Sequence, residues 1–355
     1  MAEAAGNNSR SALRTGPVLS VASGTVPLDV RAPSTSETAA IVGSDAAPRR
    51  LVGGSDVRVS PVAISGKMFG WKTDDATTDA ILDSYLWHGG NFIDTADSYS
   101  SGRSELMIGN WMRSRHRRDD MVVATKVGKS AENPGVTARA LTAAVEASLG
   151  RLRTDRIDLL FLHCDDPDVP FEETLLAVDE LIRAGKVVAF GAADHTGNRL
   201  FEARIATAQL GVAPMVALQG TYNLMERRGY EGDLEHVVDR VGLGMMPRFA
   251  LASGFLSGRY RSKADVARSA RGADVAKYST RTGVRVLAAL DEVAAAHDAA
   301  LPSIALAWLL SKPNVVAPIV SASSAEQVFD LLAAPGIRLT RHELTQLDRA
   351  SEPRR

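Results

Sequence analysis

Residues 89–99 read Gly-Gly-Asn-Phe-Ile-Asp-Thr-Ala-Asp-Ser-Tyr, a short apolar run that follows a glycine pair and passes into polar side chains. An apolar run of this length between turn residues predicts a buried strand, which we place at Asn91–Ala96. Asp94 stands at the end of that strand, and Tyr99 lies in the loop after it. In parallel α/β folds, the loops after the carboxyl ends of the strands carry the functional side chains. The stretch therefore predicts both a fold class and the place of its site.

Seven further apolar runs predict the other strands: Val59–Ser65, Met121–Val127, Ile157–His163, Val187–Ala193, Met215–Gly220, Leu243–Phe249 and Val315–Val320. Stretches of helical period lie between them, for example Thr137–Arg151, Phe171–Ala184 and Thr282–His297. Continuous apolar strands that alternate with helices indicate a parallel sheet, and eight such units close a barrel. We predict a single (β/α)8 TIM barrel over residues 51–355, with a long loop insertion between its seventh and eighth strands.

Residues 1–50 are rich in Ala, Ser, Gly, Thr and Pro and show no sustained hydrophobic period. Because such a composition buries little apolar surface, we predict a flexible N-terminal extension. A segment that caps or regulates the barrel is the alternative. The extension also lacks the continuous apolar stretch of a secretory signal.

Composition narrows the classes of partner. The formal net charge is −1, which argues against binding to nucleic acid or to an anionic membrane. The single cysteine, Cys164, cannot form an internal disulfide, and no Cys/His spacing of a zinc site is present. No run approaches the roughly 18 apolar residues of a membrane span. We expect a cytoplasmic protein that binds no metal and acts on a small molecule, and no pattern indicates its oligomeric state.

Polar residues stand at three successive strand ends. Lys126 closes the predicted third strand and His163 the fourth, so we expect both side chains on the same face of the barrel as Asp94 and Tyr99. Taken one at a time, each has an ordinary structural interpretation: a capping carboxylate, a loop aromatic, a solvated lysine and a core histidine. Together at adjacent strand ends, the four residues favour catalysis.

These residue types suit the reduction of a carbonyl group. Negative charge develops on the carbonyl oxygen during that reaction, so a proton donor must stand beside it. The phenol of Tyr99, with an ordinary pKa of about 10, would donate more readily if the Lys126 cation lowered that pKa. Asp94 would keep Lys126 charged and oriented, and His163 would donate a hydrogen bond to the oxygen.

The motifs resemble those of the aldo-keto reductase superfamily over about residues 50–350. The resemblance rests on residues 89–99 with Ser104, Glu105 and Gly109, on Ile157–Leu159 leading to His163, on Gly185–Val187, on Gln219 with Tyr222–Leu224, and on Ala307–Leu310. It implies the barrel, the four catalytic roles, and NADPH bound in an extended form across the barrel mouth, with NAD as the alternative coenzyme.

Carried over position by position, the resemblance also implies a coenzyme shell: Ser65, Gly66, Ala193, Asp194, Gln219, Arg248, Ala250, Leu251, Ser253, Gly254, Ser321, Ser323 and Gln327. Met68, Phe69 and Trp71 would contact the substrate, with residues 165–171 and the long loop completing the pocket walls. A sugar or secondary-metabolite carbonyl is the expected substrate class.

Several positions of this shell depart from the family pattern. Asp194 stands where Asn is usual, Arg248 where an aromatic ring commonly stacks on the nicotinamide, and Ser323 where a basic residue is frequent. Because an unpaired buried charge is costly, we predict that Asp194 and Arg248 form an ion pair. Without a basic residue at position 323, only a modest preference for NADP over NAD is expected.

Two classes of function fit these observations. The first is an enzyme that reduces an aldehyde or ketone, and it is favoured by the four intact catalytic positions. The second is a regulatory or binding subunit that keeps the barrel but has weak or no turnover. The altered coenzyme shell and the N-terminal extension favour that alternative.

Overall fold

The computed structural model describes residues 47–269 and 271–353. Two strands, β1 (Arg50–Leu51) and β2 (Arg58–Val59), form an antiparallel ribbon. The central sheet comprises β3 (Ala63–Ser65), β4 (Phe92–Asp94), β5 (Val122–Val127), β6 (Ile157–Leu162), β7 (Val187–Ala193), β8 (Ala217–Thr221), β9 (Gly244–Arg248) and β10 (Ile319–Val320). These eight strands are parallel, in the order β10-β3-β4-β5-β6-β7-β8-β9, and they form a nearly closed barrel. The predicted (β/α)8 TIM barrel is confirmed.

Helices surround the described barrel: α1 (Asp75–Trp87), α2 (Arg103–Arg115), α3 (Ala138–Leu152), α4 (Phe171–Arg183), α5 (Gly197–Leu210), α6 (Asp233–Val241), α7 (Lys263–Arg268), α8 (Gly272–Ala276), α9 (Arg281–Ala296), α10 (Leu301–Leu310), α11 (Glu326–Ala333) and α12 (Arg341–Ala350). Local sequence sets their ends. The side chains of Asp74 and Thr137 accept hydrogen bonds from first-turn amides of α1 and α3, and Gly211 and Gly242 end α5 and α6 with positive φ.

Two predicted strands are wrong in extent. Val59 belongs to the β1–β2 ribbon, and only Ala63–Ser65 of the predicted first strand enters the barrel. Pro61, which has no backbone N–H for a ladder hydrogen bond, lies between the two. Of the predicted last strand, Ile319–Val320 pairs with β3, whereas Val315 forms only an isolated bridge to β9. Ends of the other strands differ from prediction by at most two residues.

The interior is packed on both sides of the sheet. Leu159 and Phe161 of β6 belong to a smaller buried cluster with Phe92 and Met246, drawn from several strands. Leu160, the residue between them, belongs instead to the larger cluster beneath the helices. Because successive side chains of a strand point to opposite faces, the smaller cluster fills the barrel interior. That filled interior leaves the carboxyl ends of the strands as the place for a site.

Residues 1–46 of the predicted extension lie outside the described residues. At position 50, the predicted boundary falls inside the folded body, since Arg50 begins β1 and donates to the carbonyl oxygens of Val315 and Leu310. In the described parts of the chain, no single helix is long and apolar enough to cross a membrane. Helices α9 and α10 would meet that test as a pair, but they are bent by 95° at the break between them.

Candidate active site

A buried ion pair lies at the carboxyl ends of the strands. The Lys126 ammonium donates to the two carboxylate oxygens of Asp94 at 2.8 and 2.7 Å, and to the Thr95 carbonyl oxygen at 2.7 Å. Both charged side chains are only 1 % exposed. Parallel pairing of β4 with β5 brings them together, and the Gln219 amide of β8 donates to Asp94 at 2.9 Å. The carboxylate is therefore held by groups from two other strands.

Burial and neighbouring charges have opposite effects on the pKa values of Lys126 and Tyr99. For Lys126, burial lowers the pKa, but Asp94 and Tyr99 raise it and prevail. For Tyr99, burial is the largest influence and raises the pKa, which Lys126 lowers and Asp94 raises again. The net effect is a Tyr99 pKa above its usual value, so the predicted lowering is wrong. Asp94 offsets the charge of Lys126, which therefore cannot outweigh the loss of hydration.

Tyr99 begins a kinked turn, Tyr99–Gly102, which follows β4. The two serines of the turn have φ of 49° and 54°, a region that residues other than glycine rarely adopt. The Ser100 hydroxyl donates to the Phe69 carbonyl oxygen at 2.9 Å and so ties the turn to the segment after β3. The Lys126 ammonium lies 5.0 Å from the centroid of the Tyr99 ring. This turn thus holds the phenol beside the buried ion pair.

Motif residues behind the turn support it without reaching the cleft. The Ser104 hydroxyl donates to the Gly66 carbonyl oxygen at 2.8 Å and lies 2.8 Å from the Thr95 hydroxyl. A Cβ atom at position 66 would come too close to the Ser104 hydroxyl oxygen, so a side chain there would require Ser104 to move. Glu105 is fully buried and accepts a hydrogen bond from Arg151 of α3 at 2.7 Å. The Ser104 contacts bind the segments after β3 and β4 to each other, and the Glu105–Arg151 contact joins α2 to α3.

His163 follows β6, and its ring packs edge-on against Tyr99 with centroids 6.2 Å apart. Burial and the surrounding cations, of which Lys126 has the largest effect, lower the pKa of His163 to about 3. The ring is therefore neutral at neutral pH and carries one N–H, which can donate a hydrogen bond but not act as a cationic acid. Its Nδ1 atom is buried and has no hydrogen-bond partner among the described residues.

An open cleft of about 770 Å³ extends from Asp94 and Tyr99 across the ends of β3, β9 and β10. Most of the predicted coenzyme and substrate residues line it: Ser65, Met68, Trp71, Gln219, Arg248, Ala250, Leu251, Ser253, Gly254, Ser321, Ser323 and Gln327. The long segment after β9 forms one wall, as its length predicts. The cleft has the size of a small-molecule site.

Four of the predicted coenzyme and substrate residues do not border the cleft, namely Gly66, Phe69, Ala193 and Asp194, and neither do the predicted catalytic residues Lys126 and His163. For Phe69 the prediction of a substrate contact is wrong, because its side chain is fully buried in the core. The 3-10 turn Gly66–Met68 directs Met68 into the cleft and the next residue away from it. Residues 165–171 do not form a wall of the cleft either, and Asp165 is instead bound by Arg199 at 2.9 Å.

Arg248 and Asp194 form the predicted ion pair. Arg248 Nε and Nη2 lie 3.1 and 2.9 Å from Asp194 Oδ1, and Nη2 lies 2.8 Å from Oδ2. Asp194 has a φ of 58°, and its backbone N–H donates to the Gln219 carbonyl oxygen at 2.9 Å. The side chains are 33 % and 39 % exposed, so the pair lies at the rim of the cleft and not in the core.

Four cations that were not predicted from the sequence also line the cleft: Lys67, Lys72, Arg259 and Arg271. Arg271 donates to the Ser253 carbonyl oxygen at 3.4 Å and to the Met68 sulfur at 2.7 Å, and Arg259 donates to a serine of its own turn at 3.0 Å. Within residues 47–269 and 271–353, none of these four cations forms a salt bridge. For Arg259 and Arg271, the available signal in the sequence was the arginine and serine content of the long insertion.

Comparison with known proteins agrees with this arrangement. The family model described as "Aldo/keto reductase family" matches residues 63–352, which span the barrel from β3 to β10. The chain belongs to the aldo/keto reductase family. This aldo/keto reductase is therefore a member of a family of oxidoreductases, and the resemblance of its motifs is confirmed.

Relatives of this aldo/keto reductase include two fungal norsolorinic acid reductases. The protein from Aspergillus flavus is 31 % identical over 321 residues, which cover 85 % of this chain and 80 % of the relative. Norsolorinic acid reductase B from Aspergillus parasiticus is also 31 % identical, over 86 % of this chain and 84 % of the relative. A putative aryl-alcohol dehydrogenase from Saccharomyces cerevisiae is 30 % identical, over 82 % of this chain and 83 % of the relative.

Proposed function

We propose that this aldo/keto reductase uses NADP(H) to reduce an aldehyde or ketone to an alcohol, with Tyr99 as the general acid. The observation that carries the proposal is the position of a protonated phenol beside a buried Asp94–Lys126 pair, at one end of a 770 Å³ cleft. A carbonyl bound there would meet a proton donor whose conjugate base has a cation next to it.

The residues of the cleft fit a nicotinamide dinucleotide. Gln219 and Arg248 lie at the catalytic end, where amide and planar cationic groups can hold a nicotinamide ring. Arg259 and Arg271 lie on the wall formed by the long insertion and offer positive charge to the phosphates. At the far end, Ser323 offers a hydroxyl to the adenosine portion. When bound, the coenzyme supplies the hydride.

The protein residues then handle the proton and the charge on oxygen. Tyr99, whose pKa is raised by burial, stays protonated at neutral pH and can donate to the carbonyl oxygen. As negative charge develops on that oxygen, the phenolic proton moves to it, and Lys126 stabilises the phenolate left behind. His163 is neutral and donates one hydrogen bond to the same oxygen, which orients the substrate.

The sequence predicts a sugar or a secondary-metabolite carbonyl as substrate. Within the secondary metabolites, we propose aromatic carbonyl compounds. Trp71 lines the cleft with 62 % of its surface exposed, and the Lys72 ammonium lies 4.3 Å from its ring centroid. An exposed aromatic surface at the mouth of a site favours aromatic ligands. The names of the relatives, which refer to norsolorinic acid and aryl alcohols, support the same choice over a sugar.

The test is a panel of aromatic and aliphatic aldehydes and ketones, assayed with NADPH and with NADH. We expect reduction of aromatic aldehydes and its loss in Tyr99→Phe. Coenzyme binding without turnover of any carbonyl would favour the alternative, a regulatory or binding subunit. That alternative draws its support from the unusual Asp194–Arg248 pair at the coenzyme position.

A further inference from the structure

Lys67 brings a positive charge to the catalytic end of the cleft. It lies in the 3-10 turn after β3 and lines the cleft. Its ammonium is 4.9 Å from the centroid of the Phe249 ring, and the Arg248 guanidinium is 4.8 Å from the same centroid. Phe249 itself has a φ of 52° and is 38 % exposed. Two cations therefore share one aromatic ring beside the coenzyme position.

The two cations differ in how their charge is balanced. Arg248 is paired with Asp194, whereas Lys67 forms no salt bridge with any residue that the structure describes. Burial, followed by Arg248 and Arg271, lowers the pKa of Lys67, and Asp274 is the acidic group that opposes them. Lys67 is still exposed to solvent in the open cleft, so its ammonium is accessible to an anionic ligand, which would offset the repulsion from the neighbouring cations.

The position of Lys67 indicates which ligand would supply the anion. Lys67 lines the same cleft as Tyr99, and its ammonium lies beside Phe249 and Arg248 at the catalytic end. Arg259 and Arg271 belong to the long insertion after β9 and remain for the coenzyme phosphates, and Arg271 also contacts the sulfur of Met68, the neighbour of Lys67. We propose that Lys67 binds an anionic group on the substrate, such as a carboxylate, which makes aromatic carbonyl acids the preferred substrates. This inference rests on the proposed function, since it assumes a carbonyl substrate beside Tyr99.

The test compares 4-carboxybenzaldehyde with 4-formylbenzamide, which has nearly the same shape without the charge. In the wild type we expect kcat/KM to be at least about tenfold higher for the acid, the size of one charge-assisted hydrogen bond. In Lys67→Met the ratio should fall to about one. Lys263→Met is the matched control, because Lys263 is exposed on α7 and does not line the cleft, and it should keep the wild-type ratio. An equal ratio in the wild type and Lys67→Met would overturn the inference.

Two measurements separate the inference from its alternatives. If Lys67 binds a coenzyme phosphate instead, Lys67→Met will weaken NADPH binding and slow both aldehydes equally, which also overturns it. Calorimetric titration of the NADP⁺ complex with both aldehydes measures binding without turnover, because the oxidised coenzyme has no hydride to transfer. Tighter binding of the acid by the wild type, lost in Lys67→Met, supports the inference even if the proposed reduction fails. Equal binding of acid and amide contradicts it.

Discussion

The Arg248 guanidinium is held by the Asp194 carboxylate through three contacts of 2.8 to 3.1 Å, which join the end of β9 to the residue after β7. Strand β8 lies between these two strands and carries Gln219, whose carbonyl oxygen accepts from the Asp194 backbone N–H. The ion pair thus bridges across β8, the strand whose Gln219 side chain donates a hydrogen bond to Asp94. A substitution of Arg248 or Asp194 should therefore change the affinity for the coenzyme at the proposed nicotinamide position.

Replacing Arg248 with tyrosine should change the relative affinity for the two redox forms of the coenzyme. A cation disfavours the positively charged oxidised nicotinamide, and Asp194 offsets that effect only in part. We expect Arg248→Tyr to tighten NADP⁺ relative to NADPH, as measured by the ratio of the two dissociation constants. Arg240→Tyr on the exposed surface of α6 is the control. An unchanged ratio would refute the electrostatic effect.

Removing the Tyr99 hydroxyl should abolish most catalysis. Tyr99→Phe lacks the proton donor, so kcat should fall by roughly 10²- to 10⁴-fold while NADPH binds as before. Tyr230→Phe is a matched control, because its buried hydroxyl has no hydrogen-bond partner among the described residues and lies outside the cleft. Turnover of Tyr99→Phe within tenfold of the wild type would exclude Tyr99 as the acid.

The protein should discriminate only weakly between NADH and NADPH. The Ser323 N–H and hydroxyl lie 3.0 and 3.2 Å from the Gln327 side-chain oxygen, and Asp330 lines the same end of the cleft. We expect kcat/KM values with NADH and NADPH within about tenfold, and a rise in NADPH preference of about tenfold in Ser323→Arg. Ser324→Arg, one residue outside the cleft lining, controls for added charge. A thousandfold preference in the wild type would mean that Arg259 or Arg271 already binds the 2′-phosphate.

The stability of the protein should depend on His163 in acid. The folded-state pKa of about 3 lies below the unfolded value of 6.5, so the unfolded chain gains a proton first as the pH falls below 6.5. The free energy of unfolding then falls by up to about 1.4 kcal/mol for each pH unit. In urea unfolding, His163→Gln should lose roughly 1–3 kcal/mol less than the wild type between about pH 7 and pH 4.

Asp97 supplies a control of opposite sign for that experiment. Burial, reinforced by Glu105, raises the pKa of Asp97 to about 6, so the folded state binds a proton first as the pH falls. Asp97→Asn should therefore lose more stability in acid than the wild type. Parallel stability curves for the wild type and both variants would show that neither group titrates as the structure indicates.

The strands could be predicted from the sequence because each is buried on both faces and so appears as a continuous apolar run. Their ends could not, since apolar runs continue past the last paired residue. Val316 and Ala317 are buried, yet pairing with β3 begins only at Ile319. Hydrophobicity reports burial, and only backbone geometry decides where hydrogen bonding starts.

At the site, the Asp94–Lys126 pair could be predicted because adjacent parallel strands place their ends together. Which side chains face the cleft after β3 could not, because one 3-10 turn turns Phe69 inward and leaves Lys67 in the cleft. The direction in which the Tyr99 pKa shifts also could not be predicted from the sequence. It depends on a balance between burial and two opposite charges that residue types alone do not determine.

Strand β10 meets its neighbours through few backbone contacts. It pairs with β3 at two positions, Ile319 with Ala63 and Val320 with Ile64, and the chain before it reaches β9 through one Met245–Val315 bridge. The cleft lies directly over this junction. A ligand that binds only the folded barrel stabilises it by mass action, by about 2.7 kcal/mol at a concentration 100-fold above its Kd. Resistance of this protein to proteolysis would then rise and fall with the supply of coenzyme, independently of how fast any substrate is turned over.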